Sequence, residues 1–146
     1  MLKLAMLSLT LTWSAVSFSA TCFKNHKNAQ EFLYNAEVRK NSAFSGVRAL
    51  NYLVEKKVIP KDFCLTVHEE RMLMLKVGTQ YKYALEIYKQ MGPACGYKKY
   101  DEHSSEIIEF TRKNLNRTHQ GMQQLDQIAQ AYCHATTNLA DTLIED

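Results

Sequence analysis

The stretch VHEERMLMLKVGTQYKYALEIYKQM, residues 67–91, decides the fold class. Its apolar positions 67, 74, 77, 81, 84, 88 and 91 form two interleaved series seven residues apart. That spacing lines one seam of a long, buried helix. Just before it, Thr66-Val67-His68-Glu69 has the form of a capping box, in which threonine and glutamate side chains satisfy each other's backbone amides. Gly92-Pro93 supplies the stop, because proline cannot continue the hydrogen-bond ladder.

Upstream, VIPKDFC (58–64) reads as a loop, preceded by a helix over 43–57 with Phe44, Val47, Leu50 and Val54 inward and Lys56 and Lys57 at the favourable end of its dipole. Lys40-Asn41-Ser42 predicts a short break. Before the break, Asn28 caps a first helix to about Arg39, with Ala29, Phe32, Leu33 and Ala36 on one face. Downstream, Ile108, Leu115, Met122, Ala129, Thr136 and Leu143 keep a single register, with Leu125, Tyr132 and Leu139 between them. Pattern alone makes this one helix from about Asp101. Uncapped helices much beyond about 25 residues are unusual in a small domain, however, and NLNRTHQG (114–121) holds weak helix formers and a glycine. A turn near 116–121 is therefore expected. With two prolines, five glycines and no alternating Val/Ile runs, the chain reads as all-α: a small, disulfide-stapled bundle of four to five helices.

The N-terminus, MLKLAMLSLTLTWSAVSFSATC, has a lysine, an apolar run from Leu4 to about Val16, then small residues, the order of a secretory signal peptide. The run is too short and too rich in Ser and Thr to span a bilayer. Cleavage after Ser17 or Ser19 satisfies the small-residue rule better than cleavage after Ala20, which places Phe18 at the third position back. Thr21 before Cys22 argues against a lipid anchor. Residues 1–20 are accordingly read as leader and 21–146 as a single helical domain. The product is exported, periplasmic in a bacterium and secreted in a eukaryote, without a membrane span.

All four cysteines, Cys22, Cys64, Cys95 and Cys133, lie in the mature part, and an even count in an exported chain reads as two disulfides. No pair has zinc-knuckle spacing. The helix over 66–91 spans roughly 38 Å, and a disulfide needs Cα atoms within about 7 Å, so Cys64 and Cys95 at its two ends cannot join. If the first two helices run antiparallel, Cys64 returns beside Cys22, leaving Cys95 for Cys133. The expected pairing is therefore 22–64 and 95–133. The other surviving pairing, 22–95 and 64–133, goes with a single long final helix.

The mature chain has 17 basic against 15 acidic residues. Residues 21–100 carry 14 Lys and Arg against 7 Asp and Glu, whereas 101–146 carry 3 against 8. The acidic tail can dock on the basic half or face a partner. The five histidines include no i,i+3 or i,i+4 pair, there is no CxxCH, and GxSxG, Gly-rich phosphate loops and thioredoxin CxxC are all missing. No catalytic residue, metal or cofactor is assigned. Asn116-Arg117-Thr118 fits the N-glycosylation triplet.

The remaining candidates are Tyr83, off the seam between Lys82 and Lys89, and Tyr97-Lys98-Lys99-Tyr100, read as a loop held by Cys95. Rigid tyrosines beside charge are the chemistry of protein-binding hot spots. So small a net charge does not support nucleic-acid binding.

Phe44-Ser45-Gly46-Val47-Arg48-Ala49-Leu50, then Ile59-Pro60-Lys61-Asp62-Phe63-Cys64-Leu65-Thr66 and Pro93-Ala94-Cys95, resemble segments of the small exported immunity proteins that neutralise type VI secretion amidase effectors. The resemblance covers about 50 residues and implies a helical, disulfide-held inhibitor. Pro60 precedes Cys64, where that family places proline after the cysteine, and no cysteine stands just before Gly46. The acidic tail has no counterpart, and no contact residues carry over. The expectation is a non-enzymatic exported protein that binds another protein, as an inhibitor or immunity factor, with a homodimer compatible. The alternative is a carrier of a small apolar ligand inside a helical bundle.

Overall fold

The computed structural model describes the backbone of residues 2–95 and 98–145, and the side chains of 21–91, 95 and 105–145. Three long helices, α1 (Leu2–Glu55), α2 (Phe63–Cys95) and α3 (Lys98–Cys133), are followed by an extended tail holding one 3-10 turn, Ala140–Leu143. No strand occurs among the described residues. The all-α, disulfide-stapled class stands, with three helices in place of four to five.

The α2 seam behaves as its spacing dictates: Val67, Met74, Val77, Tyr81, Ala84, Tyr88 and Met91 are all buried. α2 is the central element. α1 lies along one side and α3 along another, and α1 and α3 scarcely touch. Ala29, Ala36, Ala43 and Leu50 give α1 its own seven-residue seam, fully or almost fully buried. Three alanines there leave room for bulky α2 partners; Ala29 clusters with Tyr88 and Met91, and Ala36 and Ala43 with Tyr81.

Both expected interruptions are absent. α1 runs straight through Lys40-Asn41-Ser42 because helical continuation keeps Ala36, Ala43 and Leu50 on one seam. Weak formers cost only tenths of a kcal/mol each, against about 25 cal/mol per Å² of apolar surface buried. Lys40 is also held locally, by an ion pair with Glu37 at 2.6 Å. In α3, polar residues in and just before the stretch that reads as a turn lie against α2. Thr111 and Thr118 are fully buried and Asn114 nearly so. Their side chains donate to the carbonyls of Ile107, Asn114 and Phe110, four residues back, so none needs water. Gly121 permits close approach, since a Cβ there would stand 3.0 Å from Met74 Cε and 3.2 Å from Phe44 Cε1.

The capping box is also displaced. α2 begins at Phe63, which is buried, and Thr66 already lies within the helix, its hydroxyl donating to the Asp62 carbonyl. At the other end α2 passes Gly92-Pro93 and stops at Cys95, where the last turn is anchored by a disulfide.

The disulfides join Cys22 to Cys95 and Cys64 to Cys133, correcting the expected 22–64 and 95–133. An uninterrupted α1 carries Cys22 far from its own C-terminal end, and so from Cys64. The bundle is two helical hairpins sharing α2. The α1–α2 hairpin turns at residues 56–62 and is stapled at its open end by Cys22–Cys95; the α2–α3 hairpin is stapled at its open end by Cys64–Cys133. No helix among the described residues is long and apolar enough to cross a membrane.

Candidate functional site

Exposed apolar side chains gather on helix faces opposite the seams. Tyr34 and Tyr52 on α1 are eighteen residues apart, about five turns, and share one azimuth; Ala43, nine residues from each, lies about half a turn round and is fully buried. Tyr34 is 69% and Tyr52 59% exposed, and Phe23 and Val38 also face outward on α1. α2 repeats the arrangement. Leu65 and Tyr83, again eighteen apart, are exposed, and Met74 midway between them is fully buried.

Tyr83, singled out in the sequence, is 47% exposed and its ring lies 5.5 Å from that of Phe32 on α1, tilted by 58°. It is thus a fixed aromatic at the α1–α2 junction. Lys98, Lys99 and Tyr100 form the first turn of α3, not a loop; their side chains, and the whole of Tyr97, lie outside the described residues. Of the five candidates, only Tyr83 has its side chain among the described residues. The α1 aromatics went unnoticed in the sequence, although Tyr34 and Tyr52 fall off the α1 seam at a spacing that repeats every five turns.

Besides the approach of Phe44 to Gly121, several contacts between α1 and α3 are polar or cation–aromatic. Lys40 Nζ stands 5.8 Å from the Phe110 ring centroid, Arg117 lies 5.5 Å from that of Phe44, and Asn51 donates to Gln124 at 3.0 Å. Beneath them Tyr81 donates to Glu37, and burial together with that hydrogen bond pushes the tyrosine hydroxyl far above its usual range. An open concavity of about 370 Å³ on α3 is lined by Glu109, Arg112, Lys113, Asn116, Arg117 and Gln120. Asn116 of the glycosylation triplet is exposed in mid-helix, whereas Thr118 is buried.

The segment that follows α3, residues 134–145, docks on the bundle. Leu143 is buried over Gly78, and Ile144 offers its carbonyl to Lys82 Nζ at 2.9 Å. Glu145 accepts from Arg112 Nε at 2.8 Å and from Lys89 Nζ at 3.2 Å. The Arg112 hydrogen bonds, helped by Lys89 and opposed by burial, hold the Glu145 carboxyl below its usual range. Among the described residues no three His, Cys, Asp or Glu side chains gather to hold a metal ion.

Comparison with family models, curated proteins and solved structures finds no match to this chain.

Proposed function

We infer that the chain is an exported, non-enzymatic protein that recognises another protein through the outward aromatic faces of α1 and α2. The observation that carries this reading is the pair Tyr34 and Tyr52, exposed on one azimuth of α1 directly opposite its buried alanine seam. Tyrosines displayed on a rigid scaffold lose little conformational entropy on binding and are enriched at interface hot spots. Two disulfides hold the scaffold and fit an oxidising compartment reached by export, with residues 1–20 as the removed leader. The partner class is a secreted hydrolase that the protein neutralises as an inhibitor or immunity factor.

The test is capture from extract by the oxidised, exported protein, with native mass spectrometry of the same preparation. A stoichiometric protein partner is expected, and Tyr34→Ala/Tyr52→Ala should weaken its capture at least tenfold with an unchanged melting temperature. Tyr83→Ala and Tyr97→Ala/Lys98→Ala report whether the surface extends to the α2 face and the start of α3. Capture unaffected by the tyrosine pair overturns the site. A small bound mass with no protein partner replaces the reading with the ligand carrier.

A further inference from the structure

The end of the bundle where α1 turns into α2 has a surface of a different kind. α1 stops in a Schellman turn: the Val58 amide donates to the Leu53 carbonyl and the Lys57 amide to that of Val54, both at 3.0 Å, with Lys57 at φ 56°. The left-handed residue is usually glycine. A lysine there adds a charged side chain to the tip, and Val58, which in such a turn normally folds back on the helix, stays 55% exposed. Ile59 beside it is 46% exposed, and Pro60, whose carbonyl accepts from the Phe63 amide at 3.2 Å, leads straight into α2.

The six residues 56–61, KKVIPK, thus hold two protruding apolar side chains, three lysines and no acid. Glu55 and Asp62 flank them at the helix ends. The same end of the bundle exposes Leu65 in the first turn of α2 and Tyr132 in the last turn of α3, brought there by the Cys64–Cys133 disulfide. Tyr52 carries Lys56 Nζ at 5.7 Å from its ring centroid.

We propose that this tip is a docking surface for an anionic lipid bilayer. Val58 and Ile59 enter the boundary between headgroups and acyl chains, and the lysine stems extend so that their ammonium groups stay among the phosphates. Charge complementarity selects the occupant, because lysines close to an anionic leaflet each favour its surface. A protein partner fits less well: a six-residue tip is small beside the roughly 800 Å² each side buries in a stable complex. Two apolar residues and three lysines give weak, reversible, salt-sensitive attachment. The tip adjoins the α1 and α2 faces at Tyr52 and Leu65, but the proposal does not rest on the protein-binding reading, which Tyr34 reports separately.

The test is sedimentation of the exported, oxidised protein with vesicles of phosphatidylcholine alone or with roughly one third phosphatidylglycerol, a charged surface of the kind polybasic segments bind. All variants share one N-terminus, so differences between them report the tip. The protein should co-sediment with anionic vesicles, not with neutral ones, and be released as salt rises from about 0.1 to 1 M. Lys56→Gln/Lys57→Gln/Lys61→Gln should lower partitioning roughly a hundredfold. Val58→Asp/Ile59→Asp should abolish it, and Tyr34→Ala should leave it intact, all with unchanged melting temperatures. Failure to bind anionic vesicles, equal binding to neutral ones, or wild-type partitioning by the lysine variant overturns the proposal. So does loss of a captured protein partner, in place of loss of vesicle binding, in the Val58→Asp/Ile59→Asp variant.

Discussion

Arg71 Nη2 lies 2.7 Å from Asp126 Oδ1, with only 7% and 3% of the two side chains exposed. Arg71 Nε reaches the same oxygen at 2.8 Å, Nη2 also donates to the Thr137 carbonyl at 2.7 Å, and Asp126 Oδ2 accepts from the Ala140 amide at 2.8 Å. One buried ion pair therefore fastens α2, α3 and the tail together. Such a pair adds little net stability, since desolvation offsets its attraction, but removing one member strands a buried charge.

Asp126→Ala should accordingly cost about 3–5 kcal/mol, read from urea unfolding, and Arg71→Met about as much. Arg71→Met/Asp126→Leu should recover most of the ion-pair loss, leaving the Thr137 carbonyl without its Arg71 donor and the Ala140 amide with only its longer bond to Asn138 Oδ1 at 3.3 Å. A double variant as unstable as the sum of the singles would show that Arg71 and Asp126 contribute independently, with no coupling between them.

Gly78 tests the seating of the tail. A Cβ at this position would stand 2.5 Å from Leu143 Cδ1 and 3.0 Å from Thr118 Cγ2. Alanine in a helix interior is otherwise better than glycine by about 1 kcal/mol, so Gly78→Ala opposes a local gain to a tertiary clash. The clash should win, with a net loss of about 1 kcal/mol or more. Hydrogen exchange should rise over 139–145 and stay low in the α1–α2 hairpin. Protection unchanged in the tail would mean that Leu143 does not seat there.

Two carboxylates should respond to pH in opposite directions. Glu145 is held below its ordinary value of 4.5, so its contribution is present above that pH and lost as pH falls through the lowered folded value. Glu145→Gln should therefore lower the melting temperature slightly at pH 7 and not in strong acid. The effect is small because Arg112 is 43% exposed and the pair is solvent-screened. Glu70 is raised by burial and then by Glu69, and its Oε2 is buried without a hydrogen-bond partner against Gly46. Its contribution is present below 4.5 and lost as pH rises through the raised folded value. Glu70→Gln should stabilise the protein at pH 7, a gain that fades on acidification. Melting curves across this range check both signs.

The α2 seam was legible because one uninterrupted helix keeps one phase. All seven seam positions from Val67 to Met91 are buried. The α3 register held at Leu115, Met122, Leu125 and Ala129; Thr136 is exposed because the helix, and its phase, end at Cys133, and Tyr132 is exposed in the last turn. The expected breaks misread a local signal: Asn114 and Thr118 are weak formers in isolation, yet buried against a neighbour they bond to their own helix. The Arg71–Asp126 clamp was invisible, since nothing local couples residues 55 positions apart. Tyr83 was legible as an off-seam aromatic; that its neighbour would be Phe32 depended on which helices pair.

The two staples close loops of similar length, with sequence separations of 73 and 69 residues, so chain entropy assigns each about 4 kcal/mol. Their local effects should differ, because each closes the open end of a different hairpin. Cys22→Ala/Cys95→Ala should loosen α1 around Ala29 and the last turn of α2, leaving the α2–α3 hairpin protected. Cys64→Ala/Cys133→Ala should free the start of α2 and the end of α3, and the tail with them, since Arg71 and Asp126 lie seven residues from those cysteines. Hydrogen exchange on the two variants distinguishes the cases. Peptide mapping without reductant should recover 22 joined to 95 and 64 joined to 133. Recovery of 22 joined to 64 would require α1 to double back on itself and would overturn the three-helix arrangement.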